Sequence, residues 1–217
     1  MYSIFLIDDQ SAGSYARLLS AFSDHPVLHR SELDENVLLR FDWASVGLSR
    51  RSNWYQYGFF GPQGPIPNKP VSGAAVRQAA DFIVRRLGIA TDANPQTGTV
   101  VIFSRKGNRL ILNEGDLKVA LQQGRRKKVV LARLEDMPVK AIIELMTHAD
   151  AAIGMHGSIL ILTMFMKPHA QVIEMFPFGV PPENYTPYKT LANLPGMDLK
   201  YDAWKVRIGI SCLLAHF

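Results

Sequence analysis

The run from Ala151 to Phe178, AAIGMHGSILILTMFMKPHAQVIEMFPF, limits what this chain can fold into more than any other stretch. A short apolar segment turns at Gly154-Met155-His156-Gly157, passes Ser158, enters an apolar segment of helical length, and closes in a second β-like run, Val172 to Phe176. The order is strand, glycine turn, helix, strand. In such a unit the first amides of the helix face whatever lies beyond the strand end. Free N–H donors and the positive end of the helix dipole then suit an anionic group such as a diphosphate. Gly157 permits close backbone approach, and Ser158 stands where a cap would. A glycine pair before an apolar helix also occurs as plain packing, so this stretch alone leaves both readings open.

The same alternation extends upstream. Strands are expected near Val100, Val129, Ala151 and Val172, with helices from about Asn113 and through Val139, Ile142, Ile143 and Met146 between them. Short, continuously apolar strands separated by helices are the pattern of a parallel sheet covered on both faces. Right-handed crossovers then bring the strand C-termini to one edge, where open α/β sheets bind ligands. Ser104-Arg105, Leu134-Glu135, Met155-His156-Gly157 and Glu174-Met175-Phe176 are expected to converge there.

Before this regular half, a strand is expected at Tyr2–Ile7 and a helix with Tyr15, Leu18, Leu19 and Phe22 on one face. Short strands are expected at Val37–Leu39 and Phe41–Leu48. Ser49–Ser72 is irregular: the aromatic cluster Trp54–Phe60 precedes GPQGPIPNKPVS, whose prolines block regular structure and mark a domain boundary. A helix over Gly73–Leu87 follows, with a stripe of Val76, Ala80, Ile83 and Leu87, and Gly88 ends it. The segment PPENYTPYKTLANLPGMDLKYDAW has loop character, and KVRIGISCLLAHF matches no motif.

The net charge of +5 favours anionic partners without choosing among them. The basic run Arg125–Lys128 has no interleaved aromatic residues, so it is a solvated face rather than a nucleic-acid patch. A single cysteine, Cys212, excludes an internal disulfide framework and any cysteine-built metal site. MYSIFLIDDQS is not a signal peptide, and no run reaches the roughly 18 apolar residues of a spanning helix. P-loop, Gly-x-Gly-x-x-Gly, Gly-x-Ser-x-Gly, His-Glu-x-x-His and Asp-x-Asp patterns are absent.

Arg105 and Arg109 flank a Lys-Gly-Asn turn just after a strand, and guanidinium forks there suit phosphate oxygens, although either can equally be a surface arginine. Asn113 and Glu114 open the next helix as a cap followed by an acidic first turn. His156, between the turn glycines, is placed to bond a phosphate or a sugar hydroxyl and lacks partners for a metal site. Glu174 is placed at a strand end, where a carboxylate holds ribose or sugar hydroxyls or is simply an edge group.

FSRKGNRLILNE, AAIGMHGSILILTMFM, VIEMFPFGVPPENYTPYKTLANLPGMDLKYDAW and, upstream, WYQYGFFGPQGP with VSG together resemble glycosyltransferase family 61. The likeness is close over residues 46–204 and loose over 1–45. It implies an α/β enzyme of the GT-B type, with a Rossmann-like parallel-sheet donor lobe and a truncated N-terminal lobe. Residues 1–60 would be the remnant of the acceptor lobe, 61–72 a Pro/Gly-rich linker, 73–204 the nucleotide-sugar donor lobe and 205–217 a divergent tail.

The activity implied is inverting, metal-independent transfer of N-acetylglucosamine to O-linked mannose on glycoproteins such as dystroglycan. UDP-GlcNAc is the donor substrate, and no cofactor is involved. Ser104, Arg105, Arg109, Glu135, His156, Gly157, Ser158 and Glu174 are the donor-binding candidates. No catalytic base is assigned; His156 is a candidate, and Asp8 or Asp9 would only be stand-ins. The family's membrane anchor and endoplasmic reticulum location are expected of a full-length enzyme. The alternative is a non-catalytic nucleotide- or glycan-binding module derived from such an enzyme.

Overall fold

The computed structural model describes residues 3–6, 16–45, 54, 64–68, 71–90, 98–125 and 128–205. Asp8, Asp9, most of the 54–60 aromatic cluster, linker residues 61–63, 69 and 70, Cys212 and the tail beyond 205 lie outside the described residues.

The apolar runs of the second half form a parallel sheet. Its strands are β3 (Thr99–Phe103), β4 (Lys128–Ala132), β5 (Ala149–Met155), β6 (Gln171–Phe176) and β7 (Lys200–Lys205). They lie side by side in the order β4-β3-β5-β6-β7, every pair parallel. The chain therefore steps outward from β3 to β4, returns to the opposite side of β3 as β5, and continues outward through β6 and β7. This reversal makes the β3/β5 seam the topological switch point, the place where an open α/β sheet leaves a crevice beyond its strand ends.

Alternation along the strands divides the core into two layers. Val100, Ile102, Ile153 and Met155 face α3 (Glu114–Arg125) through Leu117 and Leu121. Val101, Phe103 and Ala152 face the larger layer, built from α2 (Gly73–Arg86), α4 (Val139–His148) and the segment after β5. The expected stripe of α4, Val139, Ile142, Ile143 and Met146, is buried throughout. The Ser72 hydroxyl caps α2 by accepting from Ala75 N–H at 3.2 Å, and Gly88, at φ +61°, closes it in the left-handed conformation that glycine adopts without strain.

Several expectations are corrected. The apolar segment after β5 is a 3-10 helix, Ser158–Phe165, rather than an α-helix. The Thr163 hydroxyl donates to the Leu160 carbonyl three residues back, which favours the tighter winding, and its apolar surface all round leaves no solvated face. Ser158 does not cap it: the cap position belongs to Gly157, and Ser158 is the exposed first helical residue.

The segment 177–204 is not a loop throughout. It holds α5 (Pro187–Ala192), which starts on its proline, and β7, a fifth strand beyond the four expected. β7 went unseen because it is an edge strand with mostly exposed side chains and therefore carries no apolar run.

In the N-terminal part, the described residues 37–45 contain no strand, and Leu38 and Trp43 are 92% and 75% exposed. Phe41 packs its ring against Phe5 of the first strand at 6.1 Å, but no backbone ladder forms along these described residues, and pairing is what makes a strand. The pair that does form is β1 (Phe5–Leu6) with β2 (Leu28–His29). The expected helix reduces to α1 (Ala16–Leu19) and a 3-10 turn, Ser20–Phe22. Arg86 holds this part to α2, donating to the carbonyls of Ala21 at 3.0 Å and Ser23 at 2.8 Å and pairing with Asp24.

The start of α2 rests on the loop leading to β7. Gly73 N–H donates to Pro195 O at 2.8 Å, and Arg77 donates to the carbonyls of Met166, Gly196 and Met197. A Cβ on Gly73 would collide with the backbone of Met197 and lie 2.9 Å from the Gly196 carbonyl carbon. Gly73→Ala is therefore expected to destabilise the fold by about 1–3 kcal/mol in urea unfolding, as overpacking against fixed backbone does. Gly115→Ala, in α3 with nothing within 4 Å of the added carbon, is expected to stabilise it by about 0.4–1 kcal/mol.

Candidate functional site

Parallel register puts Phe103 beside Gly154 and Ala132 beside Phe103, so Ser104, Arg133 and His156 leave the sheet at its carboxyl edge. The loop after β3 is tied to the loop after β4. Arg133 donates to the Ser104 hydroxyl at 2.6 Å and pairs with Glu114 at 2.9 Å and Asp136 at 3.0 Å. Lys106 pairs with Asp136, and the Lys106 amide lies 3.4 Å from Glu135 Oε1. Hydrogen bonds from Lys106 and then Arg133 hold the Asp136 carboxyl below its usual range. These contacts fix the turn that carries Arg105 and Arg109, the latter in a left-handed conformation at φ 55°.

The two arginines have different surroundings from their neighbours. Arg109 Nη1 donates to the His156 carbonyl at 2.7 Å, which fastens the β3 loop to the β5 turn. Among the described residues Arg105 has no hydrogen-bond or ion-pair partner, and neither arginine meets a carboxylate. Both guanidinium groups lie over Gly157: a Cβ there would be 3.1 Å from Arg109 Nη1 and 3.2 Å from Arg105 Nη1. Two cations converge on bare backbone at the switch point. That arrangement attracts an anion with several oxygens, because a guanidinium binds such groups through paired charge-assisted hydrogen bonds.

His156 is the other half of the seam. Its backbone N–H donates to Met175 O at 2.8 Å, which continues the β5/β6 pairing past the last strand residue. Its ring stacks on Phe176 at 5.1 Å and meets Tyr185 and Tyr188 edge-on at 5.7 and 5.8 Å. Nδ1 lies 2.5 Å from Glu174 Oε1. Tyr201, from β7, donates to the other oxygen of the same carboxylate at 2.5 Å. Burial, reinforced by the hydrogen bond and charge of Glu174, pushes the Tyr201 phenol far up, so it remains a donor at any ordinary pH.

Arg105, Arg109, His156, Gly157 and the exposed Ser158 are thus gathered at one edge. Ser104 is buried and occupied by Arg133, and Glu135 is part of the loop clamp. Glu174 is corrected: it is not a free strand-end carboxylate for sugar hydroxyls. It lies inside β6, wholly buried, with both oxygens bonded to protein groups. The alternation of β6 turns Val172, Glu174 and Phe176 inward together.

Sequence reasoning missed Arg133, Tyr201 and the aromatic walls. Arg133 carried one usable signal, since it follows β4 as Ser104 follows β3; Tyr201 carried none. The basic run ends with an exposed Lys128 at the start of β4, with Arg126 and Lys127 outside the described residues. A groove of about 460 Å³ lies elsewhere, between β4 and α4, lined by Val130, Met137, Ala141 and Leu145. Its strand residues Thr99 and Lys128 begin β3 and β4, so it sits away from the carboxyl edge. Among the described residues no three His, Cys, Asp or Glu side chains come together as a metal site, and no helix is long and apolar enough to cross a membrane.

Comparison with known proteins gives a consistent picture. A family model described as Glycosyltransferase 61 matches residues 61–173, just over half of the chain. The chain is 42% identical over 204 residues to protein O-linked-mannose beta-1,4-N-acetylglucosaminyltransferase 2 of Homo sapiens, covering 93% of this chain and 35% of that protein. It is 41% identical to the protein of that name from Xenopus laevis over 93% of this chain and 35% of that protein, and 45% identical to the one from Danio rerio over 87% and 32%. The chain thus spans about a third of the length of the relatives it matches.

Gly157→Ala tests the anion site separately from the fold. Gly157 has extended backbone, at φ 163°, so alanine brings no strain, and the added carbon presses only on the tips of two flexible side chains, with the Met155 carbonyl oxygen at an ordinary contact distance of 3.7 Å. Folding stability is expected to change by no more than about 0.5 kcal/mol. Inorganic pyrophosphate binding, followed by calorimetry, is expected to weaken as the guanidinium pair is pushed off the backbone.

Proposed function

This chain belongs to glycosyltransferase family 61, and from that membership we propose that it forms the nucleotide-sugar lobe of an enzyme moving N-acetylglucosamine from UDP-GlcNAc to O-linked mannose on a glycoprotein. The observation that carries the reading is the convergence of Arg105 and Arg109 over Gly157 at the β3/β5 switch point. The activity for which the relatives are named supports the choice of sugar and acceptor. We take the whole enzyme to be of the GT-B type and inverting, located in the endoplasmic reticulum, with dystroglycan as an example of its acceptor.

In this reading residues 1–60 belong to the acceptor lobe, 61–72 to a linker, 73–204 to the donor lobe and 205–217 to a tail. The acceptor hydroxyl oxygen forms a bond to the anomeric carbon, the bond from that carbon to the UDP oxygen breaks, and the hydroxyl proton passes to a base. The departing diphosphate gains negative charge. Stabilising that charge is the task suited to Arg105, to the remaining N–H groups of Arg109 and to the first amides of the 3-10 helix, which have no partner inside it. Fixed donors already aimed at the developing charge need no rearrangement as the bond breaks.

The test is calorimetry of the chain with UDP-GlcNAc beside its Arg105→Ala variant. Wild-type binding is expected, and the variant is expected to bind roughly 10- to 100-fold more weakly, since a charge-assisted hydrogen bond is worth about 1.5–3 kcal/mol. A folded chain that does not bind UDP-GlcNAc overturns the reading. Transfer to an O-mannosyl peptide distinguishes an active enzyme from a module that binds without turnover.

A further inference from the structure

We propose that Glu174 is a positioning residue for the anion site: it fixes His156 in the tautomer that carries its proton on Nδ1, so that Nε2 is the ring nitrogen that meets a bound nucleotide. The inference deepens the donor-site reading and rests on it for the identity of the ligand.

A carboxylate on the inward face of β6, between Val172 and Phe176 and wholly out of water, has no stability rationale, because well-packed apolar residues commonly replace buried ionic groups at no cost. Its surroundings specify direction instead. Tyr201 is a hydrogen-bond donor and gives its proton to Oε2, and the carboxylate, once ionised, can only accept. With the carboxylate taken as ionised, Oε1 accepts as well, and the proton in the 2.5 Å contact with His156 is assigned to Nδ1.

The ring has no freedom to reverse this choice. Phe176 covers it face to face, Tyr185 and Tyr188 approach edge-on, and the backbone on either side is held by Met175 O and Arg109. The side chain is 11% exposed, and with Nδ1 engaged, Nε2 is the nitrogen left for a ligand. One buried carboxylate thus orients the ring of the residue whose carbonyl seats Arg109.

The experiment is nitrogen NMR of the whole chain labelled at its six histidines, with the His156 signal identified by its loss in His156→Gln. In the free protein Nδ1 is expected to be the protonated nitrogen; a ring carrying its only proton on Nε2 overturns the proposal. Glu174→Gln keeps the shape of the side chain, but its amide can donate to Nδ1, so the proton is expected to move to Nε2 in the major species. Tyr201→Phe removes the other hydrogen bond and leaves the carboxylate, so the wild-type tautomer is expected to persist. A merely structural role predicts that the two variants behave alike, and that result also overturns the proposal.

UDP is then added to the wild type. A change at Nε2 with Nδ1 still protonated supports the proposal, whereas UDP binding by calorimetry without any change at Nε2 overturns it and leaves the donor-site reading standing. Absence of UDP binding overturns that reading and with it the ligand part of the proposal, and the free-protein tautomer still decides the role of Glu174. If Glu174→Gln does not fold, the wild type and Tyr201→Phe carry the test.

Discussion

The β3/β5 seam is the constraint on which the rest depends. Phe103 and Gly154 are partners across it, and Gly154 is glycine for a steric reason: a Cβ there would press on the Phe103 ring at 3.1 Å and on Leu160 at 3.2 Å. The missing side chain lets the Phe103 ring lie against β5 and lets the 3-10 helix pack down onto both strands. The sheet can then reverse direction at this line, and the reversal opens the crevice into which the turn after β3 and the turn after β5 both project. Packing inside the seam and chemistry beyond its end follow from one local arrangement.

Around that crevice charge is sorted. Lys106 and Arg133 are matched with Asp136 and Glu114 in a clamp between neighbouring loops. Arg105 and Arg109, a few residues along the same turn, are turned toward Gly157 and meet no described carboxylate. Exposed ion pairs contribute little stability individually, but several on one short loop restrict where its remaining side chains can go. The clamp is therefore best understood as geometry for the two unmatched cations.

The elements legible in the sequence are those whose burial is complete or periodic. β3 is buried at every position, and α4 shows its stripe without interruption. β7 has one partly buried side chain among six and gains its strand character only from pairing with β6, which no local pattern encodes. α5 begins with a proline, inside a stretch read as loop, although proline is well suited to the first turn of a helix. In the site, Arg105, His156 and Gly157 were legible because each follows a strand end. Glu174 was placed on the right strand with the wrong environment, since strand alternation says which face a residue takes but not that a tyrosine 27 residues later in the chain will close over it. Tyr201 acts across the sheet, and a contact of that kind leaves no trace in spacing.

The bond from Arg109 to the His156 carbonyl spans the crevice and makes its two walls a single unit. Whatever anion settles over Gly157 will touch both walls together and draw them against each other. By mass action, a ligand bound only by the folded state stabilises the whole chain by an amount that grows with its concentration relative to its dissociation constant. Occupancy of this edge by an anion would thus be linked thermodynamically to the integrity of the sheet, and the molecule would resist unfolding best with the edge filled.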